Sequence, residues 1–146
     1  SLDLSYHLLL DHQLWIRMAM EGEMVYVPRL WASAHYYDEC KNLAMAAGFG
    51  SEAKRIVQWM QSNPRLTGVY TDNRRRIQAG AERLNAFYLL DAKKYSSAFR
   101  AYWKAFWLSP AAVMPEWYRM VYAFFAPLGL EKLKERFLEK RKKNLN

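Results

Sequence analysis

Hydrophobic residues recur at the spacing of an α-helix near the N-terminus of the chain. Leu8, Leu14, Trp15 and Met18 fall near one face of the segment Leu4–Met20, which predicts an amphipathic helix over that range. A glycine follows two residues later, at a position where helices commonly end. The first predicted element is therefore a helix with one apolar face.

The next part of the chain alternates with a period of two. Met24–Val27 is a short β-prone run that Pro28 ends, because proline cannot donate to a strand ladder. Alternate residues of Leu30–Tyr37 share a face, which favours a second strand, although the same run is compatible with a helix. Two strands this short are marginal alone, so we interpret them as the edge of a sheet whose other strands lie outside this sequence.

From Asn42 onward the helical period returns and continues almost to the C-terminus. Proline, glycine and asparagine interrupt it at intervals that match ordinary helix lengths. The predicted helices start near Ser51, Thr71, Tyr95, Pro115 and Leu130, and they end near Asn63, Leu89, Trp107, Phe125 and Lys143. We therefore predict a mainly α fold, in which residues 43–146 form a helical array and residues 1–42 a short helix–strand–strand unit.

One stretch of the array, Ala86–Pro110, matches the spacing of a tetratricopeptide-like helix pair. Small residues would let two antiparallel helices approach, and tyrosines would fill the gaps between them. The matching positions are Ala86, Tyr95, Ala98, Tyr102, Ala105 and Pro110. Only one copy is clear, and solenoids generally need three or more repeats. We therefore predict a helix hairpin within a bundle rather than a solenoid.

Composition narrows the class of protein. Of the 146 residues, 52% are hydrophobic and 25% are charged, which excludes a disordered or collagen-like chain. Cys40 is the only cysteine, so no disulfide framework or cysteine zinc site is predicted, and a reducing, cytoplasmic compartment fits. Aromatic residues reach 16% and the formal net charge is +8, which favours a polyanionic partner, a membrane surface or a sugar.

The segment 116–143 joins an aromatic helix to a basic one. Seven basic and three acidic residues lie between Glu131 and Asn146, next to a helix rich in tryptophan, tyrosine and phenylalanine. This combination is typical of a segment that lies on an anionic membrane, and the alternative is a packed helix followed by a solvated basic tail. Nucleic-acid binding is not predicted, because the aromatic residues fall at helical core spacing and no recognition motif is present.

Residues 10–17 carry the most specific signal in the sequence. They resemble a motif late in the catalytic domain of inverting family 2 glycosyltransferases of bacteria, in which the pattern is roughly Glu-Asp-Tyr-Asp-Leu-Trp-Leu-Arg. A glycine, a Tyr-X-Pro run and a polar segment follow in the family's order and spacing. The matching positions are Asp11, Leu14, Trp15, Arg17, Gly22, Tyr26, Pro28 and Asp38–Asn42. Four positions depart from the family pattern: Leu10 and Gln13 replace acidic residues, His35 replaces an arginine, and Tyr37 replaces a histidine.

The resemblance implies a catalytic role for Asp11. In the family, the aspartate at this position is the general base that accepts the proton of the acceptor hydroxyl as its oxygen attacks the sugar carbon. The resemblance also implies that residues 1–42 end a catalytic domain and that residues 43–146 are its helical C-terminal extension. If Asp11 were not the base, Asp38 and Glu39 would be the next candidates.

The same resemblance implies partners outside this sequence. The family binds its nucleotide sugar and a divalent metal, Mn²⁺ or Mg²⁺, in an N-terminal α/β half that carries an Asp-X-Asp motif, and no such motif is present here. We therefore expect that half to precede Ser1, no cofactor on this chain, and no activity of this chain alone. A sugar or glycolipid acceptor, a homodimer and the inner face of a membrane are the further expected partners.

A second hypothesis comes from a different functional class. The tetratricopeptide-like pair would also suit a non-catalytic helical module that binds a protein partner. An upstream α/β region with an Asp-X-Asp motif would favour the enzyme, and further 34-residue repeats would favour the interaction module.

Overall fold

The computed structural model describes residues 3, 5–29 and 45–129 of the chain. The main helices are α1 (Leu10–Glu21), α2 (Ala46–Ser62), α3 (Thr67–Asp91), α4 (Tyr95–Leu108), α5 (Pro110–Val113) and α6 (Trp117–Phe125), and 3-10 turns lie at Met114–Glu116 and Ala126–Leu128. The predicted mainly α fold is confirmed. The predicted strand Leu30–Tyr37 and the predicted helix Leu130–Lys143 lie outside the described residues.

The predicted strand at Met24–Val27 is wrong. This run has no regular secondary structure, and its side chains are between 46% and 86% exposed. A strand is stabilised by pairing with a neighbour and by burying one face, and neither occurs here among the residues that the structure describes. β-Branched and aromatic residues alone are therefore not enough to make this run a strand.

The predicted hairpin between α3 and α4 is present, and it forms the larger core. Three residues connect the two helices, and Lys93 among them adopts a left-handed backbone conformation with φ of 58°. The small residues and Tyr102 from the sequence pattern are fully buried at the contact, together with Val113 of α5 and Ala123 of α6. The fully buried hairpin residues are Ala86, Ala98, Tyr102 and Ala105.

A second core joins the N-terminal segment to α2 and α3. Tyr6, Leu9 and Phe49 are buried in it, and the Phe49 ring stacks on the ring of Tyr88 with 3.5 Å between centroids. α3 therefore lies in the middle of the fold, because it packs against α2 through this core and against α4 through the other.

The start of α1 depends on Glu52 of α2. Its buried carboxylate accepts hydrogen bonds from the backbone N–H groups of His7, Leu8 and Leu9, at 2.9, 2.9 and 2.8 Å. These N–H groups belong to the residues just before the helix, so α1 begins at Leu10 and not at Leu4 as predicted. Arg55, one turn further along α2, donates a hydrogen bond to the carbonyl oxygen of Ser5 over 3.1 Å.

The opposite end of α1 is held by a different contact. The Arg65 guanidinium, in the connection between α2 and α3, forms an ion pair with Glu21 and donates a hydrogen bond to the Met20 carbonyl oxygen over 2.6 Å. Both side chains of the ion pair are more than half exposed. α1 is thus attached to the rest of the fold by a buried carboxylate at its start and by an exposed ion pair at its end.

Two glycines let α2 begin at Ala46, five residues before the predicted start at Ser51. A Cβ atom at Gly48 would lie 2.6 Å from the Leu8 side chain, and one at Gly50 would lie 2.2 Å from Asn85 Oδ1. Real Cβ atoms do not approach other atoms this closely. Glycine at these two positions allows α2 to pack closely against its neighbours.

We predict that Glu52→Ala lowers the free energy of unfolding by about 2–4 kcal/mol, because one buried and two partly buried N–H groups lose a charged acceptor. Urea denaturation followed by circular dichroism measures the change. The matched control is Glu23→Ala, since Glu23 is exposed and its loss should change stability by less than about 0.5 kcal/mol. Equal effects of the two substitutions would contradict the role of Glu52.

The same carboxylate gives stability a pH dependence. Burial raises the pKa of Glu52, but the three backbone hydrogen bonds lower it by more, so its pKa lies below the ordinary value. A depressed pKa in the folded state adds stability above the unfolded pKa, and this stability is lost as the pH falls through the folded pKa. The difference in the free energy of unfolding between the wild type and Glu52→Ala should therefore shrink below about pH 4.

We also predict opposite effects for one substitution at two helical glycines. Gly80→Ala should stabilise the protein by about 0.5–1 kcal/mol, because no atom lies within 4 Å of the added Cβ and glycine disfavours a helix interior. Gly50→Ala should destabilise it, since Asn85 would have to move. Thermal denaturation compares the melting temperatures of the two variants with that of the wild type. A higher melting temperature for both variants would contradict the close contact between Gly50 and Asn85.

Candidate functional site

Asp11 lies in the first turn of α1, because the helix begins at Leu10 and not at the predicted Leu4. Its Oδ1 atom accepts a hydrogen bond from the backbone N–H of His12 over 2.8 Å and contacts the His12 Nδ1 atom at 3.0 Å. The Asp11 side chain is 56% exposed. Within the described part of the chain, no lysine or arginine forms an ion pair with Asp11, so its second oxygen faces solvent without a cation.

An aromatic side chain lies beside this carboxylate. The rings of His12 and Trp15 are 5.1 Å apart between centroids, and half of the Trp15 surface is exposed. The sequence favours packing of Trp15 on a sheet that lies outside this sequence, and among the described residues no other element covers its exposed half. Asp11, His12 and Trp15 instead form an exposed group, which we call the α1 corner, that combines an acid, an imidazole and an apolar ring face.

The remaining motif residues face other directions. Gln13, which stands where the glycosyltransferases have an acid, is 3% exposed and points into the protein. Leu10 is half-buried against the N-terminal core. The positions that differ from the family are thus structural in this chain, whereas Asp11 and Trp15 are accessible. His35, Tyr37, Asp38 and Glu39 lie outside the described residues.

A cleft of about 230 Å³ lies between α1, α2 and α3. Its walls are apolar except for His12 and Arg83, and Gly80 is among its lining residues. The Arg83 guanidinium is engaged with the Glu116 carboxylate at 2.8 Å. His12 therefore belongs both to the α1 corner and to the rim of an apolar cleft, a contact that the sequence motif did not indicate.

The outward face of α6 is apolar along its whole length. Residues at helical spacing on this face are between 38% and 74% exposed, whereas Met120, Tyr122 and Ala123 turn toward α4. The exposed residues are Trp117, Tyr118, Val121, Phe124, Phe125 and, in the following turn, Leu128. A surface helix normally presents a polar face to water, so this face is unusual for a chain surrounded by solvent.

The apolar face of α6 continues onto α4 through ring contacts. The ring centroids of Phe99 and Phe124 are 5.1 Å apart, and those of Phe99 and Trp103 are 6.0 Å apart. Trp103 also meets Trp107, at 6.0 Å, and Trp107 is 66% exposed. We call this continuous region of α4 and α6 the aromatic surface. Sequence reasoning found its α6 half and missed its α4 half, although the aromatic residues of α4 recur at spacings of four.

An exposed cation lies beside the aromatic surface on α4. Arg100 is exposed and lies one turn before Trp103, whereas the Lys104 ammonium bonds to Glu82 of α3 over 2.6 Å. Arg119 of α6 faces inward, where its guanidinium lies 3.8 Å from the centre of the Phe87 ring and 2.8 Å from an Asp91 oxygen. Among the described residues, Arg100 is therefore the exposed cation next to the aromatic surface on the α4 side.

Two kinds of site are not found in the described ranges. No cluster of three or more histidine, cysteine, aspartate or glutamate side chains could hold a metal ion there. No helix within residues 5–29 and 45–129 is long and apolar enough to cross a bilayer.

Comparison of the chain with protein-family models, curated proteins and solved structures gives no match. The glycosyltransferase resemblance therefore rests on the motif residues themselves.

Proposed function

We propose that the helical array attaches a glycosyltransferase to an anionic membrane surface and that the N-terminal unit forms the acceptor side of its active site. The aromatic surface is the observation that carries the first part of this proposal. The motif at residues 10–17 and the exposed α1 corner support the second part. In this proposal the nucleotide sugar and a divalent metal bind in an α/β region outside this sequence.

Attachment at a membrane surface accounts for the aromatic side chains on the outside of α4 and α6. Tryptophan and tyrosine favour the membrane–water interface, because their rings are apolar and carry a polar group. Each buried aromatic side chain contributes about 1.5–3 kcal/mol when it leaves water. The exposed Arg100 of α4 and the basic residues between Glu131 and Asn146 in the sequence would add about 1 kcal/mol each near anionic lipids.

The α1 corner suits the acceptor side of a sugar transfer. A general base must lie within hydrogen-bond reach of the acceptor hydroxyl, and the Asp11 carboxylate is accessible for such a contact. The exposed Trp15 ring offers an apolar face on which the C–H face of a sugar ring can pack. Asp11 would accept the proton while the acceptor oxygen attacks the sugar carbon and the nucleoside diphosphate leaves.

The alternative function is a non-catalytic helical module that binds a protein. A large exposed apolar patch also marks protein interfaces, and the same surface would serve a homodimer. Binding of lipid vesicles separates these possibilities, because a protein interface has no reason to prefer anionic lipid.

We predict that the chain binds vesicles of anionic and zwitterionic phospholipid more tightly than vesicles of zwitterionic phospholipid alone, and that salt weakens the binding. The double substitution Trp107→Ser with Trp117→Ser should weaken binding at least about tenfold, because two interfacial rings are lost. Co-sedimentation measures the bound fraction, and tryptophan emission should shift to the blue on binding.

The matched control is Trp15→Ser, since Trp15 is as exposed as Trp117 but lies on α1, outside the aromatic surface. This variant should bind vesicles like the wild type. Absence of vesicle binding would contradict the attachment, and concentration-dependent dimerisation in sedimentation equilibrium would then assign the aromatic surface to a second copy.

We predict for the catalytic part that Asp11→Asn lowers turnover by about 10²–10⁴ in a protein that joins this chain to its donor-binding half, because a general base is lost. Donor affinity should remain unchanged, since the donor site lies elsewhere. The substitution is nearly isosteric at an exposed position, so equal melting temperatures would confirm intact folding. Full activity of a folded Asp11→Asn protein would remove Asp11 from the mechanism.

A further inference from the structure

A second cleft, of about 320 Å³, lies between α2, α3 and α4, and seven of its ten lining residues carry polar side chains. Three residues of α2 at helical spacing, Lys54, Gln58 and Gln61, line one side of it. Polar residues of α3 and Lys104 of α4 line the other sides. We call it the polar cleft, and three consecutive helices contribute to it.

The floor of the polar cleft is built from buried polar side chains. Tyr70 is 5% exposed and Glu82 is 9% exposed. The Gln78 amide donates a hydrogen bond to the Tyr70 hydroxyl oxygen over 3.1 Å, and the Lys104 ammonium donates one to Glu82 Oε1 over 2.6 Å. These contacts fix the floor and neutralise the charge of Glu82.

The rim of the polar cleft has unused hydrogen-bonding groups. Within the described ranges, the side chains of Lys54, Gln58 and Gln61 form no hydrogen bond or ion pair with another residue. The chain contains four glutamines, and three of them line this cleft, while the fourth, Gln13, is buried on α1. Each amide group can donate two hydrogen bonds and accept two, so the cleft concentrates neutral donors and acceptors.

These groups favour a neutral ligand rich in hydroxyl groups. A cation would meet Lys54 and Lys104, and an apolar ligand would bury the amides without partners, which is costly. An anion would find one cation without a partner among the described residues of the cleft, Lys54, because the Lys104 ammonium is already bonded to Glu82. A sugar hydroxyl both donates and accepts hydrogen bonds, as an amide group does, and the apolar side chains of Val57, Ala81 and Leu108 offer surface for the C–H groups of a sugar ring.

We infer that the polar cleft binds an uncharged oligosaccharide. Under the proposed function, on which this last step rests, the oligosaccharide is a part of the acceptor remote from the reacting hydroxyl. Val57 and Ala81 line both this cleft and the apolar cleft beside α1, so the seam between α2 and α3 separates the two. The polar cleft would therefore hold a sugar unit some distance along the acceptor chain from Asp11.

The test is a titration of the ¹⁵N-labelled chain with tetrasaccharides of glucose, galactose, mannose and N-acetylglucosamine, followed by NMR. At least one should shift the side-chain amide signals of Gln58, Gln61 and Gln78 at about 10 mM, which is tenfold above a millimolar dissociation constant. Gln58→Met with Gln61→Met should weaken that binding about tenfold, because two hydrogen-bonding groups are replaced by apolar groups of similar size. Both positions are exposed, so the fold should tolerate the change.

Lys94→Met is the matched control for Lys54→Met, because Lys94 is exposed and lies outside the cleft. The Lys54 substitution should weaken saccharide binding and the Lys94 substitution should not. If none of the four tetrasaccharides shifts these signals, or if an uncharged glycine–serine octapeptide shifts them and no sugar does, the inference is overturned.

The titration contains no lipid and no sugar donor, so its failure is distinct from failure of the proposed function. If the chain binds a saccharide but binds no vesicles, and Asp11→Asn keeps full activity, the polar cleft remains a saccharide site but is not an acceptor site. Vesicle binding and loss of activity in Asp11→Asn, without saccharide binding, would preserve the enzyme and remove the site.

Discussion

The three hydrogen bonds that Glu52 accepts from the segment before α1 determine where that helix begins. A buried carboxylate is costly unless its oxygens find donors, and the backbone N–H groups at a helix start lack partners of their own. The Glu52 carboxylate and these N–H groups therefore supply each other's hydrogen-bond partners. The positions of Asp11 and His12 follow from this exchange, since a start one residue earlier or later would turn them by about 100° around the helix axis.

α3 organises the rest of the molecule because it is covered on more than one side. The N-terminal core, which includes Phe49 and Tyr88, lies against one side of it, and the hairpin core around Tyr102 lies against another. Each of the two clefts has α3 as a wall. The aromatic surface is formed by α4 and α6, so it and the two clefts occupy different parts of one small fold.

Sequence reasoning succeeded where structure depends on near neighbours. The burial of Ala86, Ala98 and Ala105 followed from helical spacing. Sequence reasoning failed where contacts between residues far apart in the sequence determine the structure. The start of α1 depends on a carboxylate more than forty positions away, and the close approach of Asn85 to Gly50 joins residues 35 positions apart. The contact between Asp11 and His12 depends on side-chain rotamers, which a sequence pattern does not specify.

The two attachments of α1 respond differently to ionic strength. Dissolved ions screen the exposed pair of Arg65 and Glu21 effectively, whereas the Glu52 carboxylate is buried and directly hydrogen-bonded, so screening reaches it far less. In concentrated salt, α1 should therefore fray from its C-terminal end while its first turn stays in place. This loosening would leave Asp11 in place and would widen the apolar cleft at the C-terminal end of α1. The helix would then move about its first turn, which contains Asp11.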